Sequence, residues 1–145
     1  MSVTALDVGI ARKNREGYAD PTMYQALKQV QRAEYGYRPL VYICSPYAGD
    51  VETNVEVARG FCAVAVKRRV IPLAPHLLFP QFMNDTNPDE HELAMFFNRV
   101  LLSKCEQIWV YMPQVSTGMR LEIEWAQQME VPIRFFDADF TEVMA

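Results

Sequence analysis

A chain of 145 residues, half of them hydrophobic and 22% charged, has the length and balance of one globular domain and excludes a disordered chain. Its longest apolar runs, such as that from Ile108 to Met112, fall far short of the ~20 residues that a membrane-spanning helix needs. A net charge of −4 argues against polymeric nucleic acid as partner, because such binders present a basic face; a single nucleotide stays open, since one phosphate needs few donors.

Residues 1–20 show no period and scatter Asp7, Arg12, Lys13, Arg15 and Glu16 along their length. They read as a loose arm without the apolar core of a secretory signal, and the cytoplasm is the expected location. Asp20-Pro21 predicts a helix start, as Asp caps and Pro suits the first helical position. Met23, Leu27 and Val30 follow at helical spacing and Gly36 closes the segment. From Pro39 to Ser45 the run is apolar without alternation, which predicts a strand buried on both faces. Ser45-Pro46-Tyr47-Ala48-Gly49-Asp50 is a turn. From Asp50 the period becomes helical, through Val51, Val55, Ala58, Cys62 and Ala65, and Lys67-Arg68-Arg69 ends the helix with the charge its dipole favours.

Val70 to Ala74 predicts a second short strand. The long segment from Pro75 to Glu92 carries three prolines and the polar Asn84-Asp85-Thr86-Asn87, and long irregular loops in compact domains are often functional. Leu93 to Lys104 reads as a helix, Gln107 to Met112 as a third buried strand, Thr117 to Glu130 as a helix, and Pro132 to Phe136 as a fourth strand. The tail from Asp137 on has no clear pattern. The order β-α-β-α-β-α-β, with one helix ahead of it, predicts an α/β fold: a parallel sheet of four to five strands with helices on both faces, a flavodoxin- or Rossmann-like three-layer sandwich. Residues 1–38 form the arm and leading helix, and residues 39–145 the α/β domain of a chain that is a single domain overall. Ligands of such sheets bind beyond the carboxyl ends of the strands, where three loops gather: Ser45–Asp50, Pro75–Asn87 and Pro113–Gly118.

The residues able to do chemistry fall on those loops. In Ser116-Thr117-Gly118-Met119-Arg120-Leu121-Glu122, Ser116 or Thr117 caps a helix. Gly118 lets a ligand approach the backbone, and the first-turn N–H groups attract an anion. Glu122 lies about one turn further in, able to reach a sugar whose phosphate rests on the helix start; a plain capped helix is the competing reading. Gly49 and the helix after it form a second possible anion nest. Tyr42 and Tyr47 can orient a carboxylate or stack on a base. His76 directly follows a strand at the loop rim, whereas His91, amid Asp89, Glu90 and Glu92, reads as a solvated helix start. The cysteines, Cys44, Cys62 and Cys105, are odd in number and widely spaced; they read as free, at least half-buried thiols rather than a zinc or redox pair. No metal-ligand spacing, G-x-G-x-x-G or Walker loop is present, so neither metal nor cofactor is expected.

Four segments together resemble a known family: Val41-Tyr42-Ile43-Cys44-Ser45-Pro46-Tyr47, Ile71-Pro72-Leu73-Ala74-Pro75-His76, Lys104-Cys105-Glu106-Gln107-Ile108-Trp109-Val110, and Ser116-x-Gly118-Met119-x-x-Glu122-Ile123-x-x-Ala126. From Leu40 to Phe136 the chain resembles a bacterial and phage group with a domain of unknown function, DUF4406-like. That group is similar to the nucleoside 2-deoxyribosyltransferases and the 2′-deoxynucleoside 5′-monophosphate N-glycosidases. The resemblance implies that Glu122 is a nucleophile attacking the anomeric carbon of a deoxyribosyl group, that Tyr42 touches it, and that Ser116 lies near the 5′ end of the ligand. It also implies a homodimer or higher homo-oligomer whose subunit contact lies near the Glu122 pocket. The chain departs from the pattern twice: an acidic residue of the enzymes falls on Asn98, and a basic residue of the glycosidase phosphate loop falls on Ala48. The sequence therefore predicts an enzyme that hydrolyses or transfers a deoxyribosyl group, with Glu122 and Tyr42 catalytic and Ser45, Tyr47, Gly49, His76, Asn98, Ser116 and Gly118 binding a small nucleoside or nucleotide. Asp85, Asp89, Glu90 and His76 are the candidates for the acid that Asn98 cannot be. A catalytically silent nucleotide-binding or sensing module is the alternative, favoured by Asn98; a purely structural partner protein is a third.

Overall fold

The computed structural model describes residues 21–144; the arm expected over residues 1–20 lies outside them. The chain divides into two compact units, one up to Tyr37 and one from Arg38 on. In the first, helix α1 spans Pro21–Tyr35. It ends at Gly36, whose φ of +77° is the left-handed turn that stops helices and that glycine adopts without steric cost.

The second unit is built on a sheet. Strand β1 (Leu40–Cys44) leads to helix α2 (Val51–Lys67), capped by Asp50, whose side chain accepts from the Thr53 N–H. Strand β2 (Ile71–Leu73) is followed by two 3₁₀ turns, Pro75–Leu77 and Phe79–Gln81, and helix α3 (Pro88–Ser103). Strand β3 (Gln107–Tyr111), helix α4 (Thr117–Gln128), strand β4 (Ile133–Phe136) and the two-residue strand β5 (Glu142–Val143) complete it. The sheet order is β2-β1-β3-β4-β5. The first four strands are parallel, with Tyr42 level with Leu73 on one side and Ile108 on the other, and β5 runs antiparallel to β4.

Period-two alternation sorts the strand residues into two cores. On one face Val41, Ile43, Trp109 and Phe136 meet Phe61 and Ala65 of α2, with the Phe61 ring 5.2 Å from that of Phe136 and 5.1 Å from that of Phe140. On the other, Tyr42, Cys44, Ile108 and Val110 meet Leu102 of α3 and Met119 and Ala126 of α4. The helix after β1 and the helices after β2 and β3 thus cover opposite faces. Chains leaving β1 and β3 diverge, and a crevice opens at the carboxyl ends of these neighbours, as it does in doubly wound sheets generally.

Three sequence expectations shift. Helix α3 starts at Pro88 rather than Leu93, because Asn87 accepts from the Asp89 and Glu90 N–H groups at 3.0 and 3.2 Å and Pro88 fits the first helical position. Helix α4 ends at Gln128 rather than Glu130, whose φ of +59° turns the chain out of the helix. The tail from Asp137 carries β5, fastened by the Arg134 guanidinium on Glu142, with Nε 2.9 Å from Oε2. No described helix is long and apolar enough to cross a membrane.

Candidate active site

A cavity of about 410 Å³ occupies the crevice, walled by the β1–α2 loop, the 3₁₀ turns, one face of α3 and the start of α4. It brings together seven of the nine residues singled out from sequence: Ser45, Tyr47, His76, Asn98, Ser116, Gly118 and Glu122. Tyr42 lies behind the wall, in the core. Gly49 is not part of the lining; its φ of +96° makes the turn that brings Asp50 to the α2 cap. The loop is also held from below, as Asn54 Nδ2 donates to the carbonyls of Tyr47 and Ala48, both at 3.0 Å.

Glu122 sits on α4 one turn inside the capped end. The Ser116 hydroxyl accepts from the Met119 N–H at 3.2 Å, and the Met119 sulfur accepts from the Ser116 N–H at 3.4 Å. This closes a capping box with a thioether in place of the usual carboxylate. Burial raises the Glu122 carboxyl to about 7 from its ordinary 4.5, and a hydrogen bond from the Tyr42 phenol opposes the rise. The Tyr42 hydroxyl is itself pushed well above its ordinary value, by burial first and by Glu122 second, so it stays a proton donor to the carboxylate. Removal from water destabilises the charged form, and the phenol restores part of what water gave.

His76, in the first 3₁₀ turn, shares a 2.7 Å hydrogen bond between Nε2 and Ser45 Oγ. Burial lowers it to about 4, so it is a neutral imidazole at ordinary pH. Asn98 lines the cavity from α3; its Nδ2 reaches Met95 Sδ at 3.9 Å, and its buried Oδ1 has no hydrogen-bond partner. Of the acids considered from sequence, Asp85 and Glu90 line the cavity with His76, and Asp89 does not. His91, read as solvated, is exposed, yet it too lines the cavity and bonds through Nδ1 to Asp85 Oδ1 at 2.8 Å.

Besides His91, the residues that sequence reading missed are apolar: Phe79, Pro80, Met83, Ala94, Met95 and Leu121. Phe79 and Met83 lie in a segment without period, where nothing separates a wall residue from a loop residue. Ala94, Met95 and Asn98 share a face of α3 with His91, a pattern legible only once the helix is started at Pro88. All three cysteines are free, and burial raises each thiol, Cys62 to about 11 and Cys105 to about 12, as expected of inert core groups. Among the described residues no three His, Cys, Asp or Glu side chains gather as a metal site requires.

A doubly wound α/β domain with a half-buried carboxylate at its switch-point crevice is the class that fold and cavity define. The chain belongs to the family of the domain of unknown function DUF7768, whose model matches residues 39–136. This corrects the DUF4406-like placement. No curated protein matches the sequence. Among solved structures, the fold is similar to that of the 2-deoxyribosyltransferase from Bacillus psychrosaccharolyticus, with a TM-score of 0.54 and 11% identity over 73% of this chain and 77% of that one. It is also similar to the 2-deoxyribosyltransferase from Leishmania mexicana, with a TM-score of 0.50 and 15% identity over 68% of this chain and 64% of that one. At these identities the likeness is one of fold.

Proposed function

We propose that this protein breaks the N-glycosidic bond of a 2′-deoxynucleoside, by hydrolysis or by transfer of the deoxyribosyl group, with Glu122 as nucleophile. The observation that carries the reading is the Glu122 carboxyl, drawn out of water into the cavity wall and held by the Tyr42 phenol. Cleavage builds positive charge on the sugar, and a poorly solvated carboxylate stabilises it or adds to it covalently. The fold shared with deoxyribosyltransferases supports this choice among carboxylate chemistries. Gly118 fits it too. A Cβ there would meet only Ser116 Oγ, at 4.0 Å, so the protein leaves space at the helix start for a ligand. Phe79, Met83 and Met95 offer apolar surface to a base.

Among the described residues the lining holds Asp85, Glu90 and Glu122 and no Lys or Arg. A phosphate dianion would find no permanent cation there, so the unphosphorylated nucleoside is the favoured form. The experiment is incubation with a panel of deoxynucleosides and their 5′-monophosphates, with free base followed by chromatography. Base released from nucleosides, with kcat/KM at least tenfold above that for the monophosphates, is expected. Equal or better use of monophosphates overturns the charge argument. Asn98 favours a second reading, a binding or sensing module, because an amide cannot protonate a departing base; saturable binding with no base released in any arm establishes that reading instead.

The protein is further proposed to be a homo-oligomer. Leu93, Phe96 and Val100 form an exposed apolar stripe on α3, and Leu121 of α4 is exposed beside the cavity. Contiguous apolar surface of this kind is characteristic of subunit contacts. Light scattering at micromolar concentration is expected to give a multiple of the 16.7 kDa chain mass; the mass of one chain refutes the oligomer.

A further inference from the structure

A glycosidic reading leaves one role unfilled, that of the acid that protonates the base as it departs. Among the cavity's polar side chains most are committed elsewhere. Asn98 has no proton to transfer. His76 is bound to Ser45 and is held neutral by burial. Glu122 is the nucleophile. Asp85 Oδ1 accepts from His91, and Glu90 Oε1 accepts from the Asn84 N–H at 3.3 Å, so both carboxyl groups are engaged in joining the loop before α3 to its first turn. His91 remains. It stands in the first turns of α3 on the cavity-facing stripe that continues through Met95 to Asn98. Seven residues separate it from Asn98, about 10 Å of helix.

Resting on the glycosidic reading, we propose that His91, its Nδ1 hydrogen held by Asp85, is the general acid that protonates the leaving base, with Asp85 as its positioning residue. The pairing is the one that fixes imidazole orientation in many acid–base sites: the carboxylate takes one ring nitrogen and leaves Nε2 for the substrate. In the first step a Glu122 oxygen bonds to the anomeric carbon and the carbon–nitrogen bond breaks. The bonding pair passes into the base, which takes the Nε2 proton at a ring nitrogen or carbonyl oxygen. His91 is then neutral. In the second step water attacks the anomeric carbon and gives its proton back to Nε2, and the sugar–Glu122 bond breaks to restore the carboxylate. When a second base is the acceptor it takes the place of water and gives up its proton in the same way.

The test separates leaving groups. An ordinary purine deoxynucleoside needs the proton; 7-methyl-2′-deoxyguanosine, whose base already carries positive charge, does not. His91 is exposed, with 53% of its side-chain surface open to solvent, so His91→Ala is compatible with folding. Measured in a single turnover with enzyme in excess, which reads the first step alone, this variant is expected to slow base release from deoxyguanosine by about 10²–10⁴-fold, the usual worth of a general acid, and to keep release from the methylated substrate within threefold of wild type. Asp85→Asn is expected to show the same split at smaller size, which a merely structural role would not produce. Equal loss on both substrates, or no loss on either, overturns the assignment while the glycosidic reading stands. A wild-type protein that releases base from neither substrate overturns that reading and this assignment with it.

Discussion

Glu122→Gln is expected to abolish base release, by a factor of at least about 10³, or about 4 kcal/mol of transition-state stabilisation. Glutamine keeps the size of the side chain and an oxygen to accept from Tyr42, but it brings no negative charge to the sugar. The wild-type rate is expected to climb as pH rises through about 7, where the buried carboxyl ionises. Tyr42→Phe removes the hydrogen bond that lowers that value and should move the rising limb to higher pH. The same substitution reports on stability. The folded-state value of Glu122 lies above its ordinary 4.5, so its contribution is fully present below pH 4.5 and is lost as pH rises through about 7. Glutamine has no such loss. Between pH 4 and pH 8 the variant is therefore expected to gain on wild type by about 3 kcal/mol, the free-energy equivalent of the shift. Urea unfolding at the two pH values measures it. A glutamine variant that still releases base contradicts the role of Glu122, and unchanged relative stability contradicts its environment.

The elements that position this carboxylate are legible in the order of the residues because each has a strong local cause. The run from Leu40 to Cys44 and that from Gln107 to Tyr111 do not alternate, since their residues face a core on both sides. Ser116 marks the start of α4 because an orphan N–H needs an acceptor there. Glu122 is four residues past Gly118 and so lies on the same face of the helix one turn further in, which puts both at the cavity. What was illegible depends on contacts distant in sequence or on segments too short to have a period. Two residues cannot display alternation, so β5 was hidden. Phe79 and Met83 become cavity wall only because the 3₁₀ turns fold them against α3, and the Asp85–His91 pair joins a loop to a helix start six residues on. Reading Asn87-Pro88 as a cap and first-turn pair would have started α3 in the right place and put His91 on the same face as Asn98.

His76→Gln is expected to make the protein more resistant to acid, and the reason links the two titrating groups of the site that the cavity wall desolvates. Burial holds His76 at about 4 against an ordinary 6.5. A depressed value contributes stability that is present above pH 6.5 and is lost as pH falls through about 4. Glu122 behaves in the opposite sense over nearly the same interval, gaining stability as pH falls from about 7 to 4.5. Each contribution is about 3 kcal/mol at full extent, so in the wild type they largely cancel between pH 7 and 4.5. On folding, one group takes up the proton that the other gives off. Removing either exposes its partner's slope. Relative to wild type, His76→Gln should gain about 3 kcal/mol on acidification from pH 7 to 4, while an amide remains to bond Ser45 Oγ. Glu122→Gln should lose a similar amount over that span, and the double variant should return to the wild-type profile. Urea titrations of the four proteins at pH 4, 5.5 and 7 decide the matter. A His76→Gln protein whose stability follows the wild-type curve would show that the imidazole protonates freely in the folded state, and that the Ser45–His76 bond does not depend on a neutral ring.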